Sequence, residues 1–486
     1  MPELKHRIGQ VIWPALRASR GEGGLDALTP LIEQYPPGGV IVFGEGANNV
    51  EQLIAALRLR CPKPLLIAAD LERGCGQQIQ KKSTLPSAMA LAATGSPENA
   101  REAGLLTAIE ARQAGIDVVF APVADVNTAA TNPIIATRSF GDDPLRVASF
   151  ASAFAQGLQD GGCLAVAKHF PGHGSTIQDS HSERPRLTRN LSEMESIDLA
   201  PFRTLIAENI GGLMVGHLEV PALDPVPGRP ATTSPNIILD YLRHRLGYSG
   251  LVVTDAMDMG GFPQEEAAAL DVLQSGIDVL LMPSDPLACA QSLEKSHGVY
   301  ALPDEVLDGA VQRIEAAQKS IPQNPPKIAA PVSTLGERLM ADAMTLLHGP
   351  LPEVSPGMAV DTLVFGEEER GPVAGCWEEA LEGVGHIPEP GGVTVGLVIT
   401  SVAAHLGSSR LSSRDRERLE WNLAQNRLDA LVILGSPYEA LEAPDTVPVL
   451  VAYEPSPEAT RQAAMALVGR HPTPGVLPLG SSEVLP

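Results

Sequence analysis

Short runs of apolar residues alternate with longer amphipathic segments through roughly the first 300 residues, as in chains that form parallel strands and helices in turn. In the amphipathic segment 100–114, Leu105, Leu106 and Ile109 fall on one helical face. Eight apolar runs in this alternation predict an N-terminal (β/α)8 TIM-like barrel, with a doubly wound open sheet as the alternative. The runs are Ile8–Trp13, Gly39–Phe43, Leu65–Ala69, Val118–Ala121, Leu164–Ala167, Gly212–Val215, Leu251–Val253 and Val279–Met282.

A second alternation of apolar runs and helical segments follows a proline-rich stretch. The stretch 322–331 contains four prolines and is typical of a semi-rigid linker. We therefore predict a catalytic barrel over residues 1–321, a linker over 322–331 and a smaller α/β domain over 332–486. The predicted strands of the smaller domain are Thr362–Phe365, Val395–Thr400, Leu431–Leu434 and Val447–Val451.

Polar residues end several of the predicted barrel strands. These are Asp70, Asp125, Lys168–His169, His217 and Asp255. Since the carboxyl ends of parallel strands meet at one face of a barrel, we expect these side chains to surround an active site there. A carboxylate directly after the buried run that ends before Asp255 is costly to bury without a function, and we expect it to act as a nucleophile or base.

A glycine-rich loop follows Lys168 and His169 and carries Asp179 and His181. Pro171, Gly172 and Gly174 exclude a regular helix or strand there. Residues two apart in an extended segment point to the same side, so Asp179 can hold one ring nitrogen of His181 and leave the other to transfer protons.

Three other interpretations of these residues remain open at this stage. His169, His173, Asp179 and His181 could bind the metal of a barrel hydrolase, although Pro171 and the glycines prevent a helical ligand spacing. Lys168 could form a Schiff base, as in aldolase-like barrels. The same groups could also bind a sugar without catalysis.

Charge and composition exclude some classes of binding partner. The formal net charge of −23 argues against nucleic acid and anionic membrane surfaces, and no apolar stretch has the length of a membrane span. Five widely spaced cysteines without a C-x-x-C motif, and no apolar region near residue 1, lead us to expect a cytoplasmic protein with reduced thiols. No cofactor or metal is expected, and the partner should be a small carbohydrate.

The motifs together resemble glycoside hydrolase family 3, in particular its bacterial β-N-acetylglucosaminidase (β-hexosaminidase) branch. The resemblance rests on KHFPGHGSTIQDSH (168–181) and GLVVTDAMDM (250–259), with support from FAPVADVN (120–127) and NPIIATRSFGDDP (132–144). It implies a C-terminal α/β sandwich of flavodoxin-like type over 332–486, for which LVILGSPYEAL (431–441) is a weaker match.

The resemblance also implies roles for individual residues. It makes Asp255 the nucleophile of a retaining β-glycosidase and His181 the general acid/base, with Asp179 orienting His181. The residues implied to contact the sugar are Asp70, Arg138, Lys168 and His169. The implied activity is that of a β-N-acetylhexosaminidase, with a β-glucosidase or a glycoside phosphorylase of the same family as alternatives. A homodimer is compatible with the sequence.

One stretch departs from the family pattern. After the strand that ends at Asp70, the branch commonly has Glu-Gly-Gly-Arg and then a further arginine. Here Arg73 stands in place of a glycine and Gln78 in place of the second arginine. The departure concerns the far side of the sugar rather than the nucleophile or the acid/base.

Overall fold

The computed structural model describes residues 2–61, 64–178, 184–262, 265–324, 334–355, 357–366, 372–402 and 410–480. These residues form two compact units. The first comprises Met1–Thr84, Arg101–Val126 and Val147–Pro331. The second comprises Leu85–Ala100, Asn127–Arg146 and Val332–Pro486, so two segments from within the predicted barrel pack with the C-terminal part of the chain. Residues 325–331 of the predicted linker lie outside the described residues.

The first unit is an α/β structure built on a curled sheet of seven parallel strands in the order β2-β3-β4-β5-β6-β7-β8. A short parallel pair, β1 with β9, lies beside it, and a single bridge joins Val253 to Val279. The strands are β1 (Ile12–Trp13), β2 (Ala15–Arg17), β3 (Gly39–Phe43), β4 (Leu66–Ala69), β5 (Val118–Val119), β6 (Leu164–Phe170), β7 (Gly212–Val215), β8 (Leu251–Thr254) and β9 (Leu280–Leu281). The predicted eight-stranded barrel is thus met in part, by a seven-stranded sheet and a separate pair.

The amphipathic segment 100–114 forms most of the helix Pro97–Gln113, as predicted. The first predicted strand is partly wrong, because residues 8–10 end a helix and only Ile12–Trp13 pair as a strand. The α-helices are α1 (Pro2–Gln10), α2 (Gly21–Gln34), α3 (Val50–Arg60), α4 (Ala88–Ala93), α5 (Pro97–Gln113), α6 (Pro144–Asp160), α7 (Leu191–Ser196), α8 (Ala200–Ala207), α9 (Glu265–Gln274), α10 (Pro286–Gly298), α11 (Asp304–Ser320), α12 (Leu335–Ala343), α13 (Pro372–Gly383), α14 (Ser413–Ala424), α15 (Tyr438–Leu441) and α16 (Pro457–Leu467). A further helix with wider turns spans Asn236–Arg245.

Buried ion pairs hold the amino ends of the strands in the first unit. Asp278 is fully buried, and its carboxylate accepts from Arg243 at 2.8 Å and from Arg313 at 2.6 Å. The same carboxylate accepts from the backbone N–H of Val252 at 2.8 Å, in β8. A buried carboxylate is tolerated only when such donors satisfy it, so this cluster fixes the strand ends opposite the candidate site.

The second unit contains a five-stranded sheet between two layers of helices. Its strands are β10 (Thr345–Leu347), β11 (Val360–Gly366), β12 (Val393–Ile399), β13 (Ala430–Leu434) and β14 (Val449–Val451). Side chains of β13 alternate between two hydrophobic clusters: Val432 packs in the cluster that contains Trp377 of α13, and Ile433 in the cluster that contains Leu419 of α14.

The strand order in the second unit is β10-β14-β13-β12-β11, and only the β10–β14 pair is antiparallel. Numbered within the unit, this order is 1-5-4-3-2, whereas the flavodoxin order is 2-1-3-4-5. The flavodoxin-like type is therefore not confirmed. The sequence interpretation missed β10, which has three residues and gives too short an apolar run to be recognised.

Candidate active site

Asp255 directly follows β8, at the carboxyl end of the strand. Its backbone N–H donates to the carbonyl of Val215 at 2.8 Å, and its Oδ1 accepts from the N–H of Ala256 at 2.8 Å. Burial opposes ionisation, but the rings of His169 and His217, the Ala256 N–H and the Lys168 ammonium hold the pKa of Asp255 below its usual value. Asp255 is therefore an anion at neutral pH, as a nucleophilic carboxylate must be.

His217, after β7, supports the backbone beside Asp255. Its Nε2 lies 3.1 Å from the carbonyl of Ala256, and its Nδ1 lies 3.0 Å from the Thr232 hydroxyl. Burial is the main cause of the lowered pKa of His217, so the ring is neutral. Because a carbonyl only accepts, Nε2 carries the proton and Nδ1 accepts from Thr232.

Lys168 holds two carboxylates with one ammonium group. Its Nζ lies 2.6 Å from Asp70 Oδ1 and 2.6 Å from Glu72 Oε1. The Lys168 side chain is 3% exposed, Glu72 is 12% exposed and Asp70 is 26% exposed. Asp70 is thus the more accessible of the two partners, while Glu72 is the more enclosed.

Asp125 organises two histidines. Its carboxylate accepts from the backbone N–H of His173 at 2.7 Å, and its Oδ2 lies 2.7 Å from His169 Nδ1. Burial opposes ionisation of Asp125, but His169 and His173 keep its pKa below the usual value. Because an ionised carboxylate only accepts, His169 Nδ1 is the protonated nitrogen and Nε2 is left to other contacts. Burial lowers the pKa of His173 to about 4, so that ring is neutral at pH 7.

The loop after β6 packs against a buried aspartate. A Cβ on Gly172, which has φ +126°, would lie 2.8 Å from the Cβ of Asp198. Asp198 Oδ1 accepts from Arg189 at 2.7 Å and lies 3.5 Å from the Ser175 hydroxyl. Burial, the largest influence, raises the pKa of Asp198 to about 6. The close approach explains why a glycine stands at position 172.

The departure from the family pattern after β4 has a structural counterpart. Gln78 Oε1 accepts from the Gly44 N–H at 2.9 Å, and its Nε2 lies 3.4 Å from the carbonyl of Asp70. A Cβ on Gly44 would lie 1.6 Å from the carbonyl oxygen of Gln78. Gln78 therefore connects the end of β3 to the end of β4, directly beneath Asp70.

Four of the predicted site residues come together in the first unit: Asp70, Lys168, His169 and Asp255. Asp179 and His181 lie outside the described residues. Arg138 belongs to the second unit, where its Nη1 donates to the carbonyl of Ile134 at 2.8 Å, and its role stays a prediction.

The sequence analysis did not predict the contacts that hold the candidate site residues in place. Glu72 was not recognised because it lies two residues beyond the strand end. Asp125 and His217 were noted as strand-end polar residues, but their partners depend on the fold. Among the described residues, no group of three His, Cys, Asp or Glu side chains is placed to hold a metal ion.

Comparison with known proteins identifies the family. The family model for the glycosyl hydrolase family 3 N terminal domain matches residues 4–317. The chain belongs to glycosyl hydrolase family 3. This finding confirms the family resemblance and makes the chain a glycosidase.

Two curated relatives extend the comparison. Beta-hexosaminidase A of Pseudoalteromonas piscicida is 33% identical over 344 residues, which cover 64% of this chain and 58% of that protein. A Beta-N-acetylglucosaminidase/beta-glucosidase of Cellulomonas fimi is 30% identical over an alignment that covers 91% of this chain and 88% of that protein.

Solved structures agree with the family assignment. A glycoside hydrolase family 3 beta-N-acetylglucosaminidase from Paenibacillus sp. str. FPU-7 superposes with a TM-score of 0.85 at 27% identity and covers 98% of both chains. A beta-glucoside phosphorylase, BglX, superposes with a TM-score of 0.87 at 22% identity over 98% of this chain and 94% of that one, a likeness of fold. Within the described part of this family 3 chain, no helix is long and apolar enough to cross a membrane.

Proposed function

We propose that this chain is a retaining β-N-acetylhexosaminidase that releases terminal β-linked N-acetylglucosamine, with Asp255 as nucleophile, His181 as general acid/base and Asp179 as its orienting partner. The observation that carries the proposal is the ionised, partly buried carboxylate of Asp255 directly after β8, close to His169, His217 and Lys168. The names of the curated hexosaminidase relatives support an amino sugar as the substrate.

The reaction takes two steps. Asp255 attacks the anomeric carbon and forms a glycosyl ester while His181 gives its proton to the departing glycosidic oxygen. Neutral His181 then takes a proton from a water molecule, whose oxygen attacks the anomeric carbon and releases Asp255 as the carboxylate. The two inversions give a product with the β configuration of the substrate.

The described residues fit the roles around this chemistry. Asp70, Lys168 and His169 would bind sugar hydroxyls, since all three present charged or polar groups at the strand ends that surround Asp255. Asp125 holds Nδ1 of His169, which leaves Nε2 for the sugar. His217 fixes the carbonyl of Ala256 and so the backbone next to the nucleophile.

We also propose that the sheet of the first unit closes into an eight-stranded barrel. The pairs Ile12–Leu280 and Trp13–Leu281 join β1 to β9, and the Val253–Val279 bridge connects β9 to β8. The strand β2 follows β1 after one residue and pairs with β3, so β1 and β2 would act as one strand that links the two edges.

Trapping the intermediate tests the proposal. A 5-fluoro glycosyl fluoride of N-acetylglucosamine should leave one glycosyl group on the enzyme, which peptide mass spectrometry should locate on Asp255. Asp255→Ala should lower kcat by several orders of magnitude, whereas Asp304→Ala, in an exposed ion pair with Arg7, serves as the control. Labelling of another carboxylate, or more than about a tenth of the wild-type activity in Asp255→Ala, would remove the nucleophile assignment.

Phosphorolysis is a second candidate because of the histidine acid/base. A carboxylate acid/base becomes an anion in the intermediate and repels an incoming phosphate, whereas a histidine is neutral or cationic at that stage. If water is the acceptor, added inorganic phosphate should not change the rate, and free sugar should be the sole product. A faster reaction that yields the glycosyl phosphate would replace hydrolysis by phosphorolysis. Rates on nitrophenyl glycosides of N-acetylglucosamine and glucose distinguish a hexosaminidase from a β-glucosidase.

A further inference from the structure

Arg184 follows the segment that carries Asp179 and His181, and it makes two contacts to backbone carbonyls. Its Nε donates to the carbonyl of Gly261 at 3.0 Å, and its Nη1 donates to the carbonyl of Gly228. Gly261 lies six residues after Asp255, in the segment that leaves β8. Gly228 has φ +73° and lies between β7 and the helical turn Ala231–Thr233.

The backbone on the carboxyl side of Arg184 is held as well. The N–H of Glu219 donates to the carbonyl of Pro185 at 2.9 Å, and the N–H of Leu187 donates to the carbonyl of Glu219 at 2.9 Å. Glu219 lies two residues after His217. The positive charge of Arg184 adds to the lowering of the pKa of the His217 ring, which is caused mainly by burial. Arg184 thus lies beside the groups that support the nucleophile.

We infer that Arg184 is a positioning residue that fixes the carboxyl end of the acid/base segment against the loops after β7 and β8. His181 precedes Arg184 by three residues, a span that no chain conformation can extend beyond about 11 Å. The place at which Arg184 is held therefore limits where His181 can lie. This inference rests on the proposed role of His181 and adds a residue to which the family resemblance assigns no role.

The chemistry of the side chain explains why an arginine serves here. Nε and Nη1 belong to one rigid planar group and donate in different directions, so two carbonyls can be held in a fixed relative geometry. A lysine at this position would keep the charge but could not reproduce the fork. The two substitutions Arg184→Met and Arg184→Lys therefore separate charge from geometry.

The experiment compares how kcat/KM of each variant changes with the leaving group of the substrate. The values of kcat/KM would be measured for aryl N-acetyl-β-glucosaminides whose phenols range from strongly to weakly acidic. Only poor leaving groups need protonation, so Arg184→Met and Arg184→Lys should lose about tenfold with the poorest phenol and little with the most acidic one. Arg186→Met is the matched control, because Arg186 lies two residues further on and its exposed side chain forms a 3.6 Å ion pair with Glu219. It should behave as the wild type.

Measuring His181→Ala in parallel separates the inference from the proposal beneath it. If the loss of kcat/KM in His181→Ala is the same for all leaving groups, the acid/base assignment is wrong, and the role of Arg184 is wrong with it. A second outcome is that the loss in His181→Ala grows as the leaving group becomes poorer, while the Arg184 variants lose activity equally with all substrates or not at all. In that case only the positioning role of Arg184 is wrong. Full activity of Arg184→Lys would also overturn it. Circular dichroism confirms that each variant is folded.

Discussion

The Nδ1 atom of His169 lies 2.7 Å from the Oδ2 atom of Asp125, and both side chains are buried. The pair fixes which ring nitrogen of His169 is protonated and where its other nitrogen points. If His169 binds the sugar, as proposed above, Asp125 acts on catalysis through the ring that it holds, without contact with the substrate.

Asp125→Asn is expected to lower kcat/KM by about 10- to 100-fold, since a hydrogen bond to a charged group contributes about 1.5–3 kcal/mol. If Asp125 acts by orienting His169, the same substitution should lower kcat/KM much less in a His169→Ala background. Additive losses in this double-mutant cycle would show that Asp125 acts by another route.

Glu72→Gln tests whether the enclosed partner of Lys168 positions that ammonium. The amide keeps an acceptor but loses the charge, so Lys168 should be held less firmly and KM should rise by about tenfold, with a smaller change in kcat. Glu51→Gln, in the more exposed 3.3 Å pair with Lys82, is the control. Equal kinetics of wild type and Glu72→Gln would exclude the role.

His173 should make the first unit sensitive to acid. Its pKa is lowered from 6.5 to about 4 in the folded protein, so its contribution to stability is fully present above pH 6.5 and is lost as the pH falls towards 4. The difference in the free energy of unfolding between the wild type and His173→Asn should therefore shrink by about 3 kcal/mol as the pH falls over this range.

The fluorescence of Trp13, buried in the first unit, can follow this unfolding in urea once Trp377 and Trp421 are replaced by phenylalanine. A difference between wild type and His173→Asn that does not change with pH would contradict the expectation.

Asp278→Ala should lower the free energy of unfolding by about 3–5 kcal/mol, because it leaves Arg243 and Arg313 without the buried carboxylate that neutralises them. The values of kcat and KM should not change while the protein is folded, since Asp278 precedes β9 at the end of the sheet away from Asp255. Glu315→Ala, in an exposed pair with Lys319, should leave the free energy of unfolding almost unchanged. A large change in KM for Asp278→Ala would disprove this separation.

Chelation distinguishes the glycosidase mechanism from a metal-dependent one. Extensive treatment with EDTA should leave the rate on aryl N-acetyl-β-glucosaminides unchanged. Loss of activity that is restored by zinc or another divalent ion would require a metal in the mechanism, with His169, His173, Asp179 and His181 as the first ligands to test.

The apolar runs predicted most strands of both units because a strand buried on both faces is apolar throughout. The errors occur where this signal is weak. Ile8 lies in the predicted run Ile8–Trp13, which is interrupted by Gly9 and Gln10 and is typical of either a helix end or a strand, and Ile8 belongs to α1. The segments 85–100 and 127–146 pack in the second unit because of long-range contacts that no local pattern contains.

The candidate site was predictable to the extent that its residues end strands. Asp70, Lys168, His169 and Asp255 meet because parallel strands end at one edge. The partners of these residues were not predictable, since hydrogen bonds such as that between Asp125 and His169 depend on side-chain direction and burial. Asp179 and His181, which the loop motif suggested, remain predictions.

The contact between Gly44 and Gln78 restricts how this part of the protein can change in evolution. Any side chain at position 44 would collide with the backbone of Gln78, and an arginine at position 78 would leave the Gly44 N–H without its acceptor, at a cost of about 1–3 kcal/mol. A library that samples these two positions one at a time should therefore return few functional variants. The backbone beneath Asp70 can be exchanged for that of a relative only as one block, with the end of β3 and the loop after β4 replaced together.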